Sequence, residues 1–350
     1  MGCTCPACAR HKLLVNENLL LCGSGTRVLE IAAAKKTLLE QVANGSSYIE
    51  SSVFLFIRAA RKLTQRFNSI LWEGEDKLSK AAGTLETIEE CLEEVEHKQD
   101  FQDISKLEKL LNETVKACVK LEDGFLYSSL PVQQIRNLSN WAAFKSVSGA
   151  KIAIIENAHA MQESAKNALL KTLEEPPPEV FFILTTTKRG AMLPTILSRV
   201  RDYRFTERTG QQQKDVLDQV FHYFGQGQSV QEYLLSFLKT KPEEAKRAGE
   251  CFAREALGGH LPDTQKAMSS CTSFSPKILF SLFAQGAMQA CGSHSQTGLA
   301  TESSFLALQQ IKKALTAVET YNISPLAALE SLSVALFKTA RSTGALRGKA

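Results

Sequence analysis

Apolar positions along this chain change period several times, and the sharpest change falls between Lys151 and Phe205. Ile152, Ala153, Ile154 and Ile155 make a continuous apolar run, the pattern of a strand buried on both faces, which ends in the polar pair Glu156 and Asn157. The end of a strand is where α/β folds place chemistry. From Ser164 the period becomes helical. Ala165, Ala168, Leu169, Thr172 and Leu173 recur three and four apart until Pro176, Pro177 and Pro178 stop the helix. Val180 to Thr187, VFFILTTT, reads as a second buried strand. Strand, helix and strand within about 35 residues predict a βαβ unit, two parallel strands joined by a right-handed crossover.

Helical patterning dominates on either side. Val53 to Leu63, followed by Arg66 and Phe67, reads as an amphipathic basic helix. Leu85, Ile88, Cys91, Leu92 and Val95 lie three and four apart among glutamates, and Ile104, Leu107, Leu110, Leu111, Val115 and Cys118 repeat the pattern. These two segments predict a helical hairpin. Phe54, Phe56 and Phe67 share the apolar stripe and are read as core. Arg58, Arg61, Lys62 and Arg66 have two readings, a contact with DNA or an acidic partner, and a solvated face packed on the acidic helices. Later, Gln211 to Leu238 is helical, with Val216, Leu217, Val220, Phe221 and Phe224 on one side, and Gly258 to Pro262 is the best linker candidate. Ile278 to Met288, Phe305 to Val318 and Leu326 to Leu332 continue as helices, with a turn at Asn322 before the last and a frayed basic tail from Arg341 to Lys349.

Composition bounds the class. The 350 residues are 44% apolar and 22% charged, enough to bury two or three domain cores. No segment reaches a membrane span, and MGCTCPACARHK lacks a hydrophobic signal region, so a cytoplasmic protein with no membrane partner is expected. A net charge of +4 is too small to argue nucleic-acid binding from bulk electrostatics. Nine cysteines in such a chain are read as free thiols or metal ligands. Cys5-Pro6-Ala7-Cys8 has the turn spacing of a zinc knuckle, with Cys3 and His11 as further candidate ligands. No G-x-x-x-x-G-K-[ST] occurs, and Gly23-Ser24-Gly25-Thr26 lacks the spacing and the lysine that cradle phosphates, so ATP binding in cis is not expected. No nucleophile motif or acidic metal cluster supports a nuclease or ligase.

Three motifs carry a specific resemblance. Asn167-Ala168-Leu169-Leu170-Lys171-Thr172-Leu173-Glu174-Glu175-Pro176-Pro177, then Phe182 to Thr187, then Leu193-Pro194-Thr195-Ile196-Leu197-Ser198-Arg199, resemble the signature of the AAA+ clamp-loader subunits of bacterial DNA polymerase III. The resemblance implies an α/β plus all-α fold: a P-loop-NTPase-like parallel sheet without its P-loop, a helical insertion, a helical lid and a helical collar. Glu156 and Asn157 fall where the family's ATPases carry the Walker B Asp-Glu pair, and Asn157 cannot serve as the base. Thr186 falls at the sensor position. Ser198-Arg199 matches the Ser-Arg-Cys motif with Val200 in place of the Cys, and its Arg is an arginine finger acting on a neighbour's ATP.

A finger without a local base resembles the delta-prime type, nucleotide-silent and working in trans. The implied partners are the loader's ATPase subunits and delta subunit, with the sliding clamp and primer-template DNA reached through the complex. The expected divisions are 1–25, a degenerate zinc-module remnant; 26–130, a helical insertion foreign to the family; 131–206, the AAA+ core; 207–258, the lid; and 259–350, the collar. Matching Cys5 and Cys8 to the family's zinc module puts Gly2 at another ligand's place, and puts the first strand and P-loop ahead of Met1, either lost or cut off by a misplaced start codon. Two alternatives accompany this reading: a gamma- or tau-type ATPase whose P-loop lies upstream, and a DNA- or protein-binding module acting through 26–130.

Overall fold

The computed structural model describes residues 3, 5–97, 103–127, 129–146, 149–225, 228–238, 240–269, 276–294, 301–319 and 323–342. Its elements run α1 (Pro6–Lys12), β1 (Leu19–Gly23), α2 (Val28–Ala43), α3 (Ile49–Thr64), α4 (Lys77–His97), α5 (Ile104–Phe125), α6 (Val132–Ala143), β2 (Lys151–Glu156), α7 (Glu163–Glu174), β3 (Val180–Leu184) and α8 (Pro194–Leu197). Then follow α9 (Gly210–Val220), α10 (Val230–Leu235), α11 (Pro242–Leu257), α12 (Thr264–Ser269), α13 (Pro276–His294), α14 (Thr301–Glu319) and α15 (Pro325–Ser342). The predicted turn at Asn322 and the tail beyond Ser342 lie outside the described residues. The chain divides into two compact units, 1–234 and 235–350.

The first unit holds a three-stranded parallel sheet in the order β1-β2-β3, with Leu20 opposite Ala153 and Ala153 opposite Phe182. The predicted βαβ unit is β2-α7-β3. Leu20, Cys22, Ala153 and Ile155 point to one face and join a single core with Leu38, Phe56, Leu63, Leu92, Leu111, Leu138 and Leu169 from the helices. The opposite face closes only in part. Along β2 the side chains alternate between buried and half-buried, and on β3 Phe181 and Ile183 are 60% and 47% exposed, so the expectation of two fully buried strands is corrected. Apolar runs do not distinguish a covered sheet face from an open one.

Residues 19–23, expected to belong to the zinc-module remnant, instead form a strand. The helices of 26–130 share one core with the sheet, so no division appears at 25 or 130. α4 and α5 make the predicted hairpin, and Asp103 caps α5 by accepting the Lys106 N–H at 3.0 Å. Phe56 and Phe67 are core as read, but Phe54 is exposed beneath the Arg58 guanidinium. Trp72 is buried, stacked between Phe67 and Tyr127, and donates from Nε1 to the Arg66 carbonyl at 2.7 Å.

The expected lid is divided. A capping box between Thr209 and Gln212 starts α9, and Leu217 and Phe221 are buried while Phe224 is exposed. Thr37 Oγ1 on α2 donates to the Phe221 carbonyl at 3.0 Å, tying this segment to the first unit. α11 belongs to the second unit, where it packs closely on α13. The glycines after α11 are therefore a turn inside that unit and not a linker. α13, α14 and α15 are the three helices predicted for the chain's end.

Candidate functional site

β2 delivers Glu156 and Asn157 to the sheet's carboxyl end, and the loop leaving β1 closes over both. Gly23 and Gly25 have φ of +145° and +107°, a conformation that favours glycine. A Cβ on Gly23 would sit 2.5 Å from the Glu156 carbonyl, and one on Gly25 would sit 2.8 Å from Asn157 Nδ2. Asn157 is itself left-handed, at φ 51° and ψ 47°, and its Nδ2 donates to the Ser24 carbonyl at 2.6 Å. Its amide is spent on holding backbone.

The Glu156 carboxylate is gripped from two sides. Arg66 Nη2 meets Oε2 at 2.6 Å, Arg27 Nη2 pairs with Oε1, and Arg66 Nη1 donates to the Gly25 carbonyl at 2.6 Å. The Arg66 side chain is only 1% exposed. Burying a guanidinium is costly unless it is paired, and here the pair is a carboxylate plus a carbonyl. The cluster extends outward: Arg27 Nη1 to Glu30 at 3.2 Å, Lys62 to Glu30 at 2.5 Å, and the Arg27 backbone N–H to Glu122 at 2.6 Å. Burial pushes the Glu122 carboxyl up, partly offset by that N–H. A metal ion at Glu156 would have to displace two guanidiniums.

Arg61 pairs with Glu89 at 3.6 Å and Glu96 at 3.1 Å. With Lys62 on Glu30 and Arg66 on Glu156, three of the four basic residues considered for DNA contact are engaged by acids within the unit. The reading of that helix as packed on acidic neighbours is the one that fits.

Thr186, the expected sensor, lies just past β3. Its Oγ1 is 3.0 Å from His159 Nδ1 and accepts the Lys188 backbone N–H at 3.1 Å. Arg199 follows α8, with Nη1 donating to the Thr195 carbonyl at 2.7 Å and reaching Ser198 Oγ at 3.3 Å. Its Nη2 meets Glu174 Oε1 at 2.5 Å. Ser198 Oγ donates to Thr195 at 3.0 Å. Glu156 and Asn157 are thus joined to the β1 loop and Arg66, while Arg199 is joined to the end of α7 and Ser198 to Thr195 of α8.

The sulfurs of Cys3, Cys5 and Cys8 all lie within 4.8 Å of one another, and His11 does not join them. The Cys8 backbone N–H lowers the Cys5 thiol to about 7, whereas the hydrogen bond to Cys5 raises Cys8 to about 11. Three converging thiols suit three corners of a tetrahedral zinc site, leaving the fourth to a donor outside this set.

Sequence reading missed the partners of these groups. Nothing local marks Arg27 or Arg66 as belonging to Glu156, which lies 90 residues beyond Arg66. The one available signal was Gly-Ser-Gly directly after the apolar run at 19–22, the mark of a strand running into a close backbone approach.

The family model described as DNA polymerase III, delta subunit matches residues 49–209. The match starts well inside 26–130, so the expectation that this stretch is foreign to the family is corrected from residue 49 onward. The delta' subunit of DNA polymerase III from Haemophilus influenzae is 39% identical over 69 residues, 19% of this chain and 21% of that protein. The Escherichia coli delta' subunit is 47% identical over 53 residues, 15% and 16% of the two chains. The Bacillus subtilis tau subunit is 41% identical over 81 residues, 23% and 14%. The chain thus spans about a fifth or less of the length of these curated relatives. Among solved structures, a DNA polymerase III gamma subunit-related protein from Thermotoga maritima is 17% identical over 61% of this chain and 81% of that one, with a TM-score of 0.29. Among the described residues no helix is long and apolar enough to cross a membrane.

Proposed function

We propose that this chain is a delta-prime-like subunit of a DNA polymerase III clamp loader in the cytoplasm, acting in DNA replication, that does not hydrolyse ATP and offers Arg199, set by Ser198, in trans to an adjacent ATPase subunit. The observation that carries the reading is the commitment of Glu156 to Arg66 and Arg27, beside an Asn157 that cannot accept a proton from water. A site whose carboxylate is neutralised from within has no charge left for a metal-bound nucleotide. Arg199, by contrast, keeps its side chain 31% exposed. The partners are the loader's ATPase and delta subunits, and through them the sliding clamp and primer-template DNA. The gamma- or tau-type alternative would need Glu156 free and a base where Asn157 stands. The alternative of DNA binding through 26–130 would need basic residues of which Arg61, Lys62 and Arg66 are already paired. Cys3, Cys5 and Cys8 are the residues that would hold Zn²⁺, which would have a structural part in the proposal and no catalytic one.

The test is ATP hydrolysis, stimulated by DNA and clamp, in a loader reconstituted with this chain as wild type or as Arg199→Ala. An assembled mutant loader should lose most hydrolysis at the affected site, on the order of a thousandfold there, diluted by the loader's other sites. Equal rates, or failure of the wild-type chain to enter the loader, would overturn the proposal.

A further inference from the structure

We infer that Glu174 is the positioning residue for Arg199, an inference that rests on the trans-acting role proposed above. Glu174 is the last residue of α7, and Glu175 is its C-cap. Two carboxylates at the negative end of a helix dipole are unfavourable unless a cation answers them. Arg199 supplies that cation from a different element, with Nη2 on Glu174 Oε1 at 2.5 Å and Nη1 on the Thr195 carbonyl at 2.7 Å. One guanidinium thereby joins the carboxyl end of α7 to α8. A planar fork held at both nitrogens loses little rotamer freedom when a phosphoryl oxygen arrives, and an arginine held only at its base would have to be ordered at that moment. The pair is also half-exposed, with side chains 31% and 48% accessible, which keeps it weak enough not to compete with a multiply charged phosphate. In this role Glu174 acts only through Arg199.

The experiment is the reconstituted loader carrying this chain as wild type, Glu174→Ala, Glu174→Gln, Arg199→Ala and the double variant Glu174→Ala/Arg199→Ala, with kcat and KM for ATP measured under DNA and clamp stimulation. Assembly is checked by size-exclusion chromatography, and melting of the free chain confirms folding. Glu174→Ala should lower kcat roughly threefold to fivefold, the range an exposed ion pair supports, with KM unchanged, and Glu174→Gln should recover more than half of the loss. In the Arg199→Ala background Glu174→Ala should change nothing further, because the residue it positions is gone. A full-rate Glu174→Ala loader, or an added loss in the double variant, would overturn the positioning role while leaving the finger in place. An Arg199→Ala loader at full rate would remove both.

Discussion

Removing Arg66 is the most informative single perturbation of this fold. Arg66→Met keeps the apolar stem of the side chain but strips two bonds, to Glu156 Oε2 at 2.6 Å and to the Gly25 carbonyl at 2.6 Å. Breaking a buried ion pair from one side costs about 3–5 kcal/mol, and Arg27 remains on Glu156, so we expect the lower end, about 3 kcal/mol. With a urea m-value of about 3 kcal/mol/M for a unit of this size, the midpoint should fall by about 1 M. Both tryptophans, Trp72 and Trp141, lie in the first unit, so their fluorescence follows that unit's unfolding alone. The decisive variant is Arg66→Met/Glu156→Met. It leaves no orphaned carboxylate, and Arg27 keeps Glu30 at 3.2 Å, so its cost should be smaller than that of Arg66→Met by itself. If the double variant instead costs the sum of the two singles within about 0.5 kcal/mol, the residues are uncoupled and the site is not an internally neutralised one.

In the second unit, a Cβ on Gly249 would lie 1.9 Å from the Phe283 carbonyl, and one on Gly286 would lie 1.9 Å from the Lys246 carbonyl. Gly249→Ala or Gly286→Ala should cost several kcal/mol by thermal circular dichroism. Gly292→Ala, with nothing within 4 Å, should be neutral or stabilising by up to about 1 kcal/mol. Burial raises the Glu122 carboxyl above its usual 4.5, so the native state holds a proton that the unfolded chain releases, and stability should fall as pH climbs through that window. Glu122→Gln keeps an acceptor for the Arg27 N–H, and urea midpoints across pH 4–8 should show a flatter profile than wild type. For the Cys3, Cys5 and Cys8 site, we expect Zn²⁺ bound to purified protein at about one equivalent by atomic absorption, lost in Cys5→Ser and on chelation.

The sequence was legible where periodicity changes abruptly. The run at 152–155, the helical spacing from Ser164 and the prolines after Glu175 leave few alternatives to β2-α7-β3, and the glutamate-rich hairpin of α4 and α5 is equally explicit. Legibility fails where an outcome depends on what lies opposite. Phe181 and Ile183 read as core because Phe and Ile usually are, yet no element described here covers their face. Leu19 to Cys22 is as apolar as β2, but four residues beside a cysteine-rich start do not announce a strand until Ile152 and Ile154 are found beside them. The boundary at Leu234 and Leu235 falls inside α10, where no glycine or proline marks it, whereas Gly258 and Gly259 mark only a turn. Glu174 was part of the recognised motif, but its bond to Arg199 spans 25 residues and two helix ends.

The pairing of Glu156 with Arg66 and Arg27 links the helices of 26–130 to the carboxyl end of the sheet. A carboxylate at the end of a central strand, only 15% exposed, needs a counter-charge whether or not a metal is available. Where the partner is an ion, the site must stay open for exchange; where it is Arg66, the partner arrives on α3's continuation and brings the helices with it. Arg66 also holds the Gly25 carbonyl, and its own carbonyl takes the Trp72 indole, so the ion pair, the β1 loop and the aromatic stack of Phe67, Trp72 and Tyr127 form one connected block. Opening the site would therefore disrupt the core itself. If Arg199 acts in trans as proposed, this internally fixed block gives it a support that does not depend on a bound nucleotide.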